Sequence, residues 1–325
     1  MFRIFNSICR SSFSYNITRS MKTVTVIGCG LMGSGIAQVS AQSGYKVNLI
    51  DVEQSLLDKA MGKIKVNLQR VATKKFADKI SEQEKFVSDS LQLIQISTDS
   101  NEAAKKSDLI IEAIIENIEI KNKLFNVALL MLSLLCSRSL DAAAPSGCIF
   151  ASNTSSLSIA DMAVATNRQD RFGGLHFFNP VPVMGLVEVV STGNTSTDTT
   201  EALLAFVKSV GKTAVRCRDT PGFIVNRLLV PYIGEALRML ERGEATCEDI
   251  DVAMRLGAGY PIGPLALADY VGLDTTKFIL DGWHEKFPNN PLFNPIGLLD
   301  KMVAGGNLGQ KSGKGFYDYS SKAKK

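Results

Sequence analysis

The sequence predicts an α/β protein, a helix-covered and mostly parallel sheet followed by a smaller all-helical domain. Three observations carry this. Short apolar, β-type runs alternate with helical patterns from Thr23 to Arg218. The first of these runs opens into Gly28-Cys29-Gly30-Leu31-Met32-Gly33 and then a helix pattern. After Arg218 the strand character stops, and Asp219-Thr-Pro-Gly222 supplies turn chemistry before a succession of helical patterns. Strand–helix alternation is the mark of a sheet covered by crossover helices, whereas helices without strands must pack on one another.

Taken in order, residues 1–21 stand apart from the rest of the chain. The first acid is Asp51. Within residues 1–20, Arg3, Arg10 and Arg19 are interleaved with Ser7, Ser11, Ser12, Ser14 and Ser20, and Phe2, Ile4, Phe5, Ile8 and Phe13 can share one side of a helix. Arg-rich, Ser-rich, acid-free and amphipathic is the composition of a mitochondrial transit peptide. The segment is therefore expected to be removed on import, leaving a mature chain in the mitochondrial matrix; a disordered tail, or an extension upstream of a start at Met21, is the alternative. No unbroken apolar run succeeds the charges, as a secretory signal would require.

The domain expected over residues 22–218 begins with the strand Thr23–Ile27. Gly28 permits the tight turn, Gly30 lets backbone approach a pyrophosphate, and Gly33 lets the helix lie close to the strand. The free N–H groups and positive dipole of that helix start suit phosphate. The second strand, Lys46–Ile50, ends at Asp51, whose carboxylate can accept from a ribose 2′-hydroxyl and would repel a 2′-phosphate. A Rossmann-type fold using NAD rather than NADP is the expectation.

Lys59–Phe86 is charged and helical and is read as a protruding helical hairpin. Further strands are expected at Leu93–Ser97, Leu109–Ile114, Cys148–Ser152, Gly174–Phe178, Leu186–Val190 and Ala214–Arg218. One stretch is discordant: Leu124–Ser137 has no charge, and residues 127–136 are apolar on every face. It is too short to span a bilayer. The domain expected over 219–325 reads as helices at Phe223–Glu241, after the capping box Thr246-Cys-Glu-Asp249, within Pro261–Phe287 and at Leu298–Val303.

Bulk composition narrows the function classes. The 325 residues are 45% hydrophobic and 21% charged, ordinary for a folded soluble protein. A net charge of +4 is too small and dispersed for nucleic-acid binding. Six cysteines form no C-x-x-C pair, which argues for a reduced compartment and against structural zinc. With only His176 and His284 in the chain, a His-rich metal site is excluded, and no metal is expected.

Chemistry is expected at His176, which ends an apolar strand, and at Glu188 inside the next one. A carboxylate flanked by valines needs a partner, because an isolated buried charge is very costly. An imidazole is the natural one, and the carboxylate would fix its tautomer and raise the basicity of the far nitrogen. Oxidation of an alcohol by NAD needs such a base. From spacing alone, a core histidine bonded to backbone beside an unrelated glutamate remains an equal alternative.

Several motifs together carry a closer resemblance: Gly28-x-Gly-Leu-Met-Gly33, Phe150-Ala-Ser-Asn-Thr-Ser155-Ser-Leu, Gly174-Leu-His-Phe-Phe-Asn179-Pro-Val-Pro, Asp219-Thr-Pro-Gly-Phe-Ile-Val-Asn226-Arg, Gly257-Ala-Gly-Tyr-Pro-Ile-Gly-Pro and Lys311-Ser-Gly-Lys-Gly-Phe-Tyr. The chain from Lys22 onward closely resembles the short-chain L-3-hydroxyacyl-CoA dehydrogenase family. The resemblance implies NAD-dependent oxidation of (S)-3-hydroxyacyl-CoA to 3-oxoacyl-CoA in fatty-acid β-oxidation, by a homodimer whose helical domain mediates dimerisation. It also implies His176 as base with Glu188 behind it, and Ser155 and Asn226 around the reacting oxygen. Cofactor contacts are implied at Gly28, Cys29, Gly30, Leu31, Met32, Gly33, Asp51, Glu116, Lys121, Ser155, Asn179 and Lys311, and CoA contacts at Asn67, Lys74 and Ser155. Asn67 departs from the family's serine. Family members run from the Leu-Phe pair to Ile-Phe-Ala-Ser-Asn without residues 127–138, so these are read as retained non-coding sequence or a splice variant, with an evolved loop as the alternative. Two other readings compete. One is a hydroxyisobutyrate- or phosphogluconate-type dehydrogenase with a catalytic lysine, against which His176 and Glu188 argue. The other is non-catalytic: a cofactor-binding relative serving as a structural protein, or an isoform left inactive by residues 127–138.

Overall fold

A computed structural model describes residues 21–125 and 140–320. Residues 1–20 of the expected transit segment and the apolar insertion 127–138 lie outside the described residues. Eight strands form one sheet in the order β3-β2-β1-β4-β5-β6-β7-β8: β1 (Thr23–Ile27), β2 (Lys46–Ile50), β3 (Ile94–Ser97), β4 (Leu109–Glu112), β5 (Ile149–Ser152), β6 (Phe172–Phe177), β7 (Leu186–Ser191) and β8 (Thr213–Arg218). All neighbours pair in parallel except β6 and β7. Their connection is too short to hold a crossover helix, so the chain must turn back and pair antiparallel.

Helices cover both faces. On one lie α1 (Leu31–Gln42), the pair α2 (Gln54–Phe76) and α3 (Ile80–Gln92), and α8 (Thr197–Ser209); they enclose Val26, Ile36, Leu57, Ile64, Leu109 and Phe206. The hairpin expected at 59–86 is longer at both ends. Leu57, Ala60, Ile64, Leu68 and Ala72 form a helical stripe that seats α2 against the core. On the other face lie α4 (Ser100–Ala104), α5 (Ile118–Phe125), α6 (Leu140–Ala143) and α7 (Ile159–Ala163) around Phe125, Phe150 and Phe172. The Phe125 ring meets Phe172 edge-on at 5.0 Å. Phe125 and Leu140, the described flanks of the insertion, belong to this same core.

Beyond β8 the chain is helical: α9 (Val225–Glu241), α10 (Cys247–Gly257), α11 (Pro264–Val271), α12 (Leu273–Lys286) and α13 (Gly297–Ala304). Their core gathers Leu237, Leu265, Leu280, Trp283, Phe293 and Leu299. Thr246 caps α10 by accepting from the Asp249 amide at 3.1 Å, as the sequence pattern predicts. Among the described residues no helix is long and apolar enough to cross a membrane, no group of side chains could hold a metal, and Cys29, Cys148, Cys217 and Cys247 are free.

Two glycines fix how α1 leaves the sheet. Gly28 has φ +100°, a left-handed conformation that side chains rarely adopt. A Cβ on Gly33 would lie 1.7 Å from the Gly28 carbonyl oxygen, so only glycine lets the helix start against the strand end.

Candidate active site at the domain junction

Antiparallel pairing of β6 with β7 puts His176 directly opposite Glu188. Opposed residues on one sheet face have their side chains in reach of each other. His176 Nδ1 lies 2.7 Å from Glu188 Oε2, and the two side chains are 6% and 1% exposed. The imidazole is walled by Phe178, with ring centroids 4.4 Å apart, and by Phe223 at 5.4 Å. The other carboxylate oxygen, Oε1, accepts from the backbone amides of Ile224 (3.0 Å) and Val225 (2.8 Å) at the start of α9. Glu188 thus caps the first helix of the second domain while holding a histidine of the first. Burial alone would raise its carboxyl; the hydrogen bonds from His176 and the two amides outweigh burial and hold it below the ordinary carboxylate range. An anionic Glu188 requires that Nδ1 carry a proton, which leaves Nε2 as the basic nitrogen, and Nε2 has no partner among the described residues.

Ser155 and Asn226 meet across the same junction. Asn226 Nδ2 donates to the Ser155 carbonyl at 3.4 Å. The loop carrying Ser155 is tied to Glu116, whose Oε1 accepts from the Thr154 hydroxyl (2.5 Å), the Ser155 amide (3.0 Å) and the Ser156 hydroxyl (3.0 Å). Lys121 stands behind: its ammonium reaches Glu112 at 2.6 Å and Glu116 at 3.2 Å, with the lysine side chain 1% exposed. Burial alone would raise the Glu116 carboxyl, but Lys121, Thr154 and Ser155 together hold it below its usual value.

Of the residues expected to contact the cofactor, Cys29, Gly30, Leu31, Asp51 and Asn179 line a cavity of about 290 Å³, together with Asn67, expected for CoA. Asp51 Oδ2 accepts from the Cys29 amide at 2.7 Å and Oδ1 from the Val52 amide at 2.8 Å. Each oxygen keeps a lone pair for a ribose hydroxyl. Burial raises the Asp51 carboxyl and its hydrogen bonds to Cys29 and Val52 more than reverse that, so it is an anion. Burial pushes the Cys29 thiol up to about 12, so it is a neutral spacer and not a nucleophile. No side chain caps α1, leaving its first amides free. Above Gly30 a Cβ would meet nothing within 4 Å, which is the open approach a pyrophosphate needs. These residues fit a dinucleotide.

The remaining expected residues lie further out. Met32 is half-buried against the core at the start of α1. Lys74 is exposed on α2, two turns beyond Asn67. Lys311 is exposed in the helical domain, where it pairs with Asp274 at 2.5 Å. Three site features escaped sequence reasoning. Asp219, read as linker, accepts from the Ser158 hydroxyl (2.8 Å) and the Ala160 amide (2.8 Å) and so caps α7. Glu112 is fully buried against Lys121, Ser152 and the Ile114 amide, which ends β4 two residues earlier than expected. Asn153 Oδ1 accepts from the Phe177 amide at 2.9 Å and fixes the strand end beside His176. Only Asp219, an acid opening a turn, carried a readable signal.

Comparison with known proteins gives the family. Residues 23–220 match the description "3-hydroxyacyl-CoA dehydrogenase, NAD binding domain", and residues 222–319 match "3-hydroxyacyl-CoA dehydrogenase, C-terminal domain". The chain is 54% identical over 299 residues to the human mitochondrial hydroxyacyl-coenzyme A dehydrogenase, covering 92% of this chain and 91% of the human one. It is 53% identical to a probable 3-hydroxyacyl-CoA dehydrogenase of Caenorhabditis elegans, covering 92% and 93%. The crystal structure of (S)-3-hydroxybutyryl-CoA dehydrogenase from Ralstonia eutropha superposes with a TM-score of 0.83 at 40% identity, covering 92% of this chain and 99% of that one. The chain belongs to the 3-hydroxyacyl-CoA dehydrogenase family, oxidoreductases that use NAD.

Proposed function

We propose that this chain oxidises (S)-3-hydroxyacyl-CoA to 3-oxoacyl-CoA in fatty-acid β-oxidation in the mitochondrial matrix, with His176 as general base oriented by Glu188. The observation that carries the reading is the 2.7 Å contact from His176 Nδ1 to Glu188, with Nε2 left unengaged. NAD, when bound, supplies the hydride acceptor. His176 Nε2 takes the hydroxyl proton, and Glu188 stabilises the imidazolium that results without taking the proton itself. Ser155 Oγ and Asn226 Nδ2 hold the substrate oxygen between the two domains. Asp51 orients the adenosine ribose, the free amides of α1 hold the pyrophosphate, and Asn179 closes the cavity three residues past His176. Glu116 fixes the Ser155 loop from behind, and Lys121 supports it from the interior. Asn67 and Lys74 share the α2 hairpin as the CoA-facing donors, with Lys74 a cation for a phosphate. Lys311 would reach the cofactor from the second domain. The functional units we assign are 1–21 as transit peptide, 22–218 for NAD and 219–325 for substrate and dimerisation.

A homodimer formed through the helical domain is favoured by its exposed apolar side chains: Leu228 (68%), Leu256 (78%), Tyr270 (61%) and Phe278 (67%). A surface of this kind marks an interaction face. The test is NADH formation from 3-hydroxybutyryl-CoA by the purified chain, combined with its sedimentation at micromolar concentration. Turnover of the (S) substrate by a dimer is expected. An inactive protein would favour the inactive-isoform reading, and a monomer would remove the dimer assignment.

A further inference from the structure

The turn between the domains is built on two consecutive left-handed residues, Gly222 at φ +75° and Phe223 at φ +55°. Glycine is required at the first, because a Cβ there would lie 2.5 Å from the Trp283 ring. The second is the anomaly. A bulky residue in this region is uncommon and persists only where its surroundings demand it. Phe223 is 4% exposed, and its amide closes the turn by donating to the Thr220 carbonyl at 2.9 Å.

Both products of this backbone converge on one pair of side chains. The Phe223 ring packs on the His176 imidazole at 5.4 Å with the planes 57° apart. The next two amides, Ile224 and Val225, donate to Glu188 Oε1. One turn therefore touches both members of the pair, by an aromatic wall on one and by two amides on the other. It is anchored upstream as well, since Asp219 is bonded to Ser158, Ile159 and Ala160 just past Ser155. An imidazole hinged at two side-chain torsions can swing off its carboxylate unless something blocks the swing. Phe178 at 4.4 Å and Phe223 provide that block.

We propose that Phe223 is a positioning residue of this enzyme: its ring, held by a left-handed backbone, locks the His176 imidazole on Glu188 so that Nε2 stays aimed into the junction. The proposal rests on the reading of His176 as base. Phe223→Tyr retains the ring, Phe223→Leu retains apolar bulk without it, and Phe223→Gly retains the left-handed backbone without a side chain. For full-length protein with 3-hydroxybutyryl-CoA and NAD, Phe223→Tyr is expected within about threefold of wild-type kcat. Phe223→Leu and Phe223→Gly are each expected to lose on the order of 10–10²-fold in kcat, as misplacement of a reacting group does, with KM for NAD unchanged. A spectroscopic readout accompanies these. Because the chain has two histidines, ¹⁵N imidazole spectra contain two rings, and His176 is to show a slowly exchanging, low-field Nδ1 proton in the wild type and in Phe223→Tyr. That proton is to be lost in Phe223→Leu and Phe223→Gly. Near-normal kcat in either folded variant, or no protected Nδ1 proton in the wild type, overturns the proposal. His176→Gln run alongside separates the two failures: if it too keeps its kcat, the base assignment is wrong, and if it alone loses activity, only the role of Phe223 is.

Discussion

Glu188 and Asp251 do the same structural work in different domains. Each is a buried carboxylate that receives two backbone amides at a helix start. Glu188 takes Ile224 and Val225 of α9, and Asp251 takes Leu265 at 2.8 Å and Ala266 at 2.9 Å of α11. Each also accepts from one side chain, His176 Nδ1 on Glu188 and the Tyr317 hydroxyl at 2.9 Å on Asp251. The difference is what lies beyond that side chain. Burial pushes the Tyr317 phenol up, so its proton stays, and the phenol has no second titratable atom to present. Imidazole has a second nitrogen, and in His176 it is unengaged. In the proposed mechanism, this second nitrogen is what lets a capped carboxylate take part in proton transfer.

Replacing each acid by its amide separates the roles. Glu188→Gln is expected to lower kcat on the order of 10²-fold, because the base survives with the wrong electrostatics behind it. Asp251→Asn is expected to leave kcat per folded molecule unchanged while costing about 1–3 kcal/mol of stability through its impaired cap. Steady-state kinetics beside chemical denaturation decide this, and equal losses of kcat would erase the distinction. The acid side of the stability curve sharpens it. Glu188 is held below the ordinary carboxylate range, so its contribution is complete above that range and is lost as pH falls through its lowered value. Glu188→Gln is accordingly expected to flatten the acid limb of stability against pH, measured by denaturation at successive pH values.

Under the proposed reading, cofactor choice at the cavity beside the glycine turn rests on a single acid. Asp51→Ser keeps a short polar side chain and removes the anion, and is expected to narrow the preference for NAD over NADP roughly tenfold, the equivalent of about 1.4 kcal/mol. Catalytic efficiencies with the two cofactors measure it, and equal efficiencies in the wild type would contradict the role of Asp51. The smallest expected change concerns stability and solubility. A deletion joining Asn126 to Ser139 removes Val127, Leu129, Leu130, Met131, Leu132, Leu134 and Leu135, more apolar surface than one buried helix stripe accommodates. The α5 and α6 ends at Phe125 and Leu140 share one core cluster, so rejoining them suits the fold. The shortened protein is expected to be more soluble and to melt higher with NAD affinity at least retained. A lower melting temperature would mean that the stretch is an evolved part of the fold.

Local devices were legible in the sequence. The glycine turn and Asp51 sit on one βα unit and its neighbouring strand, where a short stretch of chain determines geometry. For His176 and Glu188 the two apolar strands were legible, but their facing was not: spacing alone left an unrelated histidine and glutamate equally open, and the antiparallel pairing decides it. What depended on docking of distant segments was not legible. Lys121 looks like a helix-surface lysine, yet two carboxylates and the sheet enclose it. Asp219 is readable as an acid opening a turn, but the helix it caps, 59–61 residues earlier in the chain, is not. The left-handed Phe223 has no sequence signature, because its neighbours in space, not its neighbours in chain, hold it there.

Proton transfer by the His176–Glu188 pair is tested most directly by His176→Gln, assayed for NADH formation from 3-hydroxybutyryl-CoA and titrated with NAD. Removing the base while preserving the polar volume is expected to lower kcat on the order of 10³–10⁴-fold, with NAD affinity within about twofold of wild type, since His176 does not line the cofactor cavity. A His176→Gln enzyme with near-normal kcat would contradict the assignment of proton transfer to this pair.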